Sequence, residues 1–155
     1  MSRFVVAEQG HPVNILPPVD INGGANSDVF SMKDAAHASI GIQIGVSAAT
    51  CTVTVEECDN FTPSNSTAIP FKVYKEETAG GDTLGSKVDV ESTGFTINGN
   101  DNIMYWIEID AEDLSEDYPC LRVVFSDPSA SVLASAEVIL SGLCFQGDQT
   151  RTQIA

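Results

Sequence analysis

A chain of 155 residues, 43% hydrophobic and 19% charged, is long enough to bury one domain core and too apolar to stay disordered. Its 22 acidic and 7 basic side chains give a net charge of −15, which repels phosphate backbones and anionic lipid and argues against nucleic acid and membrane partners. No apolar run reaches the roughly 18 residues of a membrane-spanning helix.

The N-terminal stretch Met1–Asn14 carries one Arg and no apolar segment of signal-peptide length, so synthesis and folding in a cytoplasm are expected. The segment Gly10–Ile21 contains Pro12, Pro17 and Pro18 and shows no clean alternation. Proline denies donors to a sheet ladder, so the segment is expected to be extended or edge-like. Its aliphatic residues, Val13, Ile15, Leu16, Val19 and Ile21, are too many for a free tail. They read as an arm lying along a surface, its own or a neighbour's, and are candidate partner contacts. The organisation expected is an arm over 1–30, a β-sandwich domain over 31–146 and a flexible tail over 147–155. Asp20–Asp28 alternates oxygen ligands early, as calcium loops do. It lacks a third acidic ligand in register, and Ser31 stands where a bidentate Glu would be needed; a Gly-Gly turn is the better explanation.

From residue 39 onward, period-two alternation dominates. Ile40, Ile42, Ile44 and Val46 share one face of Ser39–Ser47, opposite Gly41, Gln43 and Gly45, as in a half-buried strand. In Cys51–Cys58, Cys51, Val53 and Val55 alternate with Thr52, Thr54 and Glu56. Further strands are predicted at Phe71–Lys75, Lys87–Val90, Phe95–Ile97, Asn102–Asp110, Leu121–Phe125 and Val132–Ser141, the last with an extension towards Phe145. Asn60–Thr67, Thr78–Thr83 and Asn98–Asp101 have loop composition, and Ser126–Ser131 joins two strands at hairpin spacing. Ala111–Glu116 offers one helical turn at most. Short strands separated by turns indicate an all-β antiparallel sandwich or jelly-roll-like domain.

Little in this pattern points to chemistry. Cys51 and Cys58 lie roughly 23 Å apart along one strand and on opposite faces, whereas a disulfide needs Cα atoms within about 7 Å. No CxxC pair occurs, and His11 and His37 are far in sequence from Cys51, Cys58, Cys120 and Cys144, so four reduced thiols and no metal are expected. No GxSxG occurs, and a Cys–His pair would have to form through space. His37 reads as a surface or capping residue. Glu108, Asp110, Glu112, Asp113, Glu116 and Asp117 form an acidic cluster. A solvated rim accounts for it, with a bridging divalent cation as the sharper alternative; glycoside hydrolysis would need aromatic walls around a carboxylate pair. No phosphate-cradling loop and no cofactor motif is present. In Ile103–Asp110, Ile103, Tyr105, Ile107 and Ile109 form a core face and send Met104 and Trp106 the other way. An outward Met–Trp pair is either a contact surface or is covered by a loop or the arm.

Val13–Gly24, Asp28–Lys33, Ala38–Val46, Asn102–Asp110 and Ala136–Leu143 resemble, in their phrasing, small β-rich proteins of tailed bacteriophages and prophages. The resemblance spans most of 13–145 and rests on no catalytic motif. It implies a virion structural protein, made in the bacterial host cytoplasm and present in many copies, that decorates or cements the head without catalysis. Its partners would be the major capsid protein lattice and copies of itself, with a trimer among the candidate assemblies. The resemblance carries no site residues across. The rival readings are a tail-tube or spike domain and a carbohydrate-binding adsorption module.

Overall fold

The computed structural model describes residues 4–75, 83–97, 99–144 and 154. A four-residue helical turn, α1 (Val6–Gln9), precedes β1 (Gly10–Asp20), β2 (Ala25–Asn26), β3 (Phe30–Ser31), β4 (His37–Ser47), β5 (Cys51–Cys58) and β6 (Ser66–Ile69). There follow β7 (Phe71–Lys75), β8 (Val88–Val90), β9 (Phe95–Ile97), β10 (Ile103–Asp110), β11 (Cys120–Phe125) and β12 (Val132–Ser141). They form two six-stranded antiparallel sheets. The first runs β1-β12-β4-β10-β7-β8. The second runs β2-β11-β5-β6, with β3 also on β11 and β9 on β5. This is the antiparallel sandwich that the alternation predicts. Among the described residues no helix is long and apolar enough to cross a membrane.

Alternation explains why the sheets stack. Ile40, Ile42 and Ile44 of β4, with Ile103, Tyr105, Ile107 and Ile109 of β10, are buried on the inner side of the first sheet. Val53 and Val55 of β5 and Leu121, Val123 and Phe125 of β11 meet them from the second. Fully burying one such side chain contributes about 1.5–3 kcal/mol, so this shared layer is what makes two half-apolar sheets one domain. The chain changes sheet at Pro70, the single residue between β6 and β7. Proline has no N–H to continue a ladder, which suits that position.

Three features depart from the sequence reading. Val46 is exposed instead of continuing the buried face of β4. Ile44 pairs with Ala134 and Ser47 with Val132, so β4 has one residue more than β12 over this interval, a bulge that turns Val46 outward. The Ser47 N–H then donates to Asp101 Oδ1 at 2.7 Å, which fixes the bulge from the neighbouring loop.

Ser126–Ser131 is not a hairpin. It carries the chain from β11 in the second sheet to β12 in the first. Asp127 Oδ1 accepts the N–H groups of Gly23 (3.0 Å) and Ser129 (2.7 Å), which ties this crossing to the turn after β1.

Residues 10–20 are an edge strand of the domain. β1 pairs with β12 from Gly10–Ser141 to Asp20–Leu133 and slips register between Asn14 and Leu16 and again between Leu16 and Val19, across Pro17 and Pro18. The expectation of an extended, edge-like segment fits. It lies along its own domain.

The strand β6 and the two-residue β2 and β3 escaped the sequence reading; the first half of β6, Ser66 and Thr67, falls in the stretch Asn60–Thr67 that has loop composition. The expected tail lies outside the described residues except Ile154, which pairs with Phe30 and packs against the core. The loop 78–82 and Phe145 also lie outside them.

Candidate functional site

Three of the arm residues proposed as partner contacts are not available to a partner. Ile15 and Ile21 are fully buried and Leu16 nearly so, all three in the domain's own core. The first register slip of β1 sets Ile15 and Leu16 side by side against that core, where a regular strand would have sent one of them outward. Val13 is half-buried and also packs on the core. Val19 remains exposed, at 43%.

Met104 and Trp106 do point away from the core, on the outer face of the first sheet, and both are half-buried. Trp106 stands between Tyr74 on β7 and Gly41 on β4. Its ring leans over Gly41: a Cβ built there would meet Trp106 Cη2 at 3.0 Å and Cζ3 at 3.2 Å. Glycine at 41 is what lets the indole lie down on the sheet. The indole N–H donates to Met104 Sδ at 3.1 Å.

Two residues further along, β10 and β4 assemble a constellation that the sequence reading did not bring together. The His37 ring lies between two carboxylates, with Nδ1 at 2.6 Å from Asp110 Oδ1 and Nε2 at 2.6 Å from Glu108 Oε2. Ser39 Oγ donates to the same Glu108 oxygen at 2.6 Å. A neutral imidazole has one N–H, so contacts of this length on both nitrogens are satisfied together only by the imidazolium. Burial of the ring disfavours that cation. The hydrogen bonds and negative charges of Asp110 and Glu108 outweigh it, and the pKa of His37 is raised above 6.5. With both nitrogens so engaged, His37 has none left to activate a thiol.

Each acid of the cluster thus has its own place. Glu108 and Asp110 hold His37. Asp113 and Asp110 cap the short 3₁₀ turn Ala111–Asp113 that ends β10. Glu112, Glu116 and Asp117 are exposed, as a solvated rim would be. Among the described residues no group of three His, Cys, Asp or Glu is arranged to hold a metal ion. Asp20, from the calcium-like loop, accepts the N–H groups of Asn22 and Val132 and the Ser131 hydroxyl, and Gly23 and Gly24 take the left-handed turn.

The outer face therefore has two unlike ends. At one, Pro18, Gly45, Met104 and Leu133 border a hollow of about 410 Å³, and Val46, the residue after Gly45, is exposed. At the other, Tyr74, Lys72, Leu84, Trp106 and the His37 constellation border a hollow of about 590 Å³. A third hollow of about 320 Å³ lies across the Ser39–Trp106–Glu108 row, against Phe4, Val6 and Gln9. Outward placement of Glu108 and Asp110 was legible from their spacing. The register that sets them opposite Ser39 and His37 was not.

No protein-family model matches the chain, and no curated protein matches its sequence. Among solved structures it is similar to the SPBc2 prophage-derived protein YomS, 14% identical over 84% of this chain and 92% of that one, with a TM-score of 0.45. It is also similar to a chain of the infectious bursal disease virus Gx strain, 12% identical over 86% of this chain and 32% of that one, TM-score 0.27. A third similarity is to the CBM22-1–GH10 modules of Clostridium thermocellum xylanase 10B, 12% identical over 96% of this chain and 30% of that one, TM-score 0.25. With every TM-score below 0.5, these likenesses transfer no role to this chain.

Proposed function

We propose that this chain is a non-enzymatic virion structural protein of a tailed phage or prophage, a decoration protein that binds the outer lattice of the capsid and stabilises it. The observation that carries the reading is the apolar end of the outer face, where Leu133, 44% exposed, borders the hollow with Pro18 and half-buried Met104, and Val46, next to Gly45 of the same lining, is 58% exposed. Exposed aliphatic residues gathered round a hollow are a cost for a free monomer and a gain for one that docks. The resemblance of five stretches of the sequence to small β-rich phage proteins supports the choice of a capsid lattice as the surface met. On this reading the protein is made in the host cytoplasm and acts on the virion in many copies, where each copy that binds the assembled lattice stabilises it by mass action.

Co-sedimentation with particles lacking the protein tests the reading. The parent chain should pellet with the particles, and Leu133→Asp should stay in the supernatant while keeping its far-ultraviolet circular dichroism. Mass spectrometry of purified virions should find hundreds of copies per particle. Equal pelleting of parent and variant, or a handful of copies, would overturn the decoration role; a handful points instead to a spike.

A further inference from the structure

The other end of the same face carries a different set of groups. Trp106 and Tyr74 are directly opposed across β10 and β7, and Glu108 and Lys72 are the next opposed pair. Beyond them, His37 and Ser39 are held by Glu108 and Asp110. Hollows of about 590 and 320 Å³ lie on either side of the Trp106–Glu108–Ser39 row, so together they cross the sheet as a groove with an aromatic floor.

We propose that this groove binds a neutral saccharide, with Trp106 and Tyr74 stacking on sugar rings, Glu108 and Lys72 reading their hydroxyls, and His37 holding Glu108 in place. Three features favour that class of ligand. A pyranose ring has an apolar C–H face that suits an indole or phenol, and a rim of hydroxyls that both donate and accept. The polar groups supply both complements: Glu108 commits Oε2 to His37 and Ser39, while Oε1 takes no hydrogen bond from any described residue. Lys72 adds a donor on the opposite strand. The charges also balance, since the imidazolium and Lys72 offset Glu108 and Asp110. A locally neutral, aromatic-floored groove on a chain of net charge −15 repels an anionic glycan by its surroundings and gives a cation no net charge to pair with.

The clamp makes the site rigid. His37 ties Glu108 to Asp110 across the β4–β10 pair, and Gly41 gives Trp106 the space to lie along the sheet. Groups fixed before binding lose little freedom on binding. Shallow stacking sites nevertheless bind weakly, with dissociation constants on the order of a millimolar.

Trp106 is the only tryptophan of the chain, so its fluorescence reports on the groove directly. Titration with neutral hexasaccharides of glucose, galactose and N-acetylglucosamine, each to about 10 mM, should give a saturable change with at least one, and none with a sialylated control. Isothermal titration calorimetry should show binding at least tenfold weaker for Tyr74→Ala and for Trp106→Ala. Glu108→Gln should weaken it several-fold while both rings remain. Circular dichroism and melting identify any variant that has lost its fold, and Trp106→Phe, which keeps an aromatic ring, should retain most of the affinity. Binding of none of the three sugars, preference for the sialylated control, or undiminished binding by folded Tyr74→Ala overturns the assignment. Leu133→Asp should bind sugar as the parent does. Sugar binding and particle binding can therefore fail separately, because each is removed at its own end of the face.

Discussion

The inner and outer faces of β4 and β10 are built from the same strands in one register, yet they are held in place differently. Inside, Ile40, Ile42, Ile44, Ile107 and Ile109 interlock with the second sheet and are almost wholly removed from water. Outside, opposite residues meet as specific pairs: Trp106 over Gly41, Glu108 with Ser39, Asp110 with His37. The inner face specifies through apolar area and volume, and many sequences of similar pattern would fill it. The outer face specifies through identity, since a one-residue slip would leave the carboxylates without their imidazolium. Stability and recognition are thus divided between the two sides of one pleat.

The sharpest way to break this contrast is to put a charge on each side. Ile42→Asp would bury an unpaired carboxylate on the inner face and should cost about 3–5 kcal/mol in urea unfolding. Gln43→Asp, its exposed neighbour, should cost under about 0.5 kcal/mol. Equal losses would mean that both faces are equally enclosed.

Gly41→Val probes the outer face at its tightest contact. The new side chain starts 3.0 Å from the Trp106 ring and must push it away. A cost of about 1–2 kcal/mol is expected, with a shift of tryptophan emission as the ring leaves the sheet. Unchanged emission would show that the ring does not rest on Gly41.

His37→Ala removes the cation between Glu108 and Asp110 and should cost about 1 kcal/mol near pH 6, the modest scale of a half-exposed cluster. The sign with pH follows from the raised pKa. Stabilisation by the charged ring is complete below about 6.5 and is lost as the pH rises through the raised value in the folded protein. Besides its two carboxylates, Lys72 faces the same hollow from β7. The parent and His37→Ala melting curves should converge as the pH rises through that raised value. A gap that does not change with pH would assign His37 a packing role only.

The smallest effect concerns the thiols, and it separates outward placement from exposure. Cys51 faces the core, while Cys58 follows Glu56 on the outward side of β5 and sits opposite Cys120, yet all three are buried. Burial pushes the Cys51 and Cys58 thiols up to about 11 and raises Cys120 as well. Native alkylation at pH 8 should label exposed Cys144 first and the other three slowly. Denaturing alkylation without reductant should label all four, with no change in stability before it. Fast native labelling of Cys58 would mean that the outer side of the second sheet is open.

The sequence alone determined the strands that carry the core, because alternation in Ile103–Asp110, Cys51–Val55 and Val132–Ser141 is a local property that needs no partner to be read. It also determined that Trp106, Glu108 and Asp110 leave the core on the same side. Only the tertiary structure decided what they meet there. Pairing β10 with β4 places His37 opposite Asp110 across 73 residues of chain, and nothing local to either segment encodes that register. The same holds for Val46, turned out by a bulge that depends on β12, and for Ser126–Ser131, whose hairpin-like turn chemistry does not reveal that its strands belong to different sheets. The proline-rich edge strand makes the point from the other side. Its prolines announced an edge, but burial of Ile15, Leu16 and Ile21 follows from register slips against β12, and a ladder slips only once it has a partner.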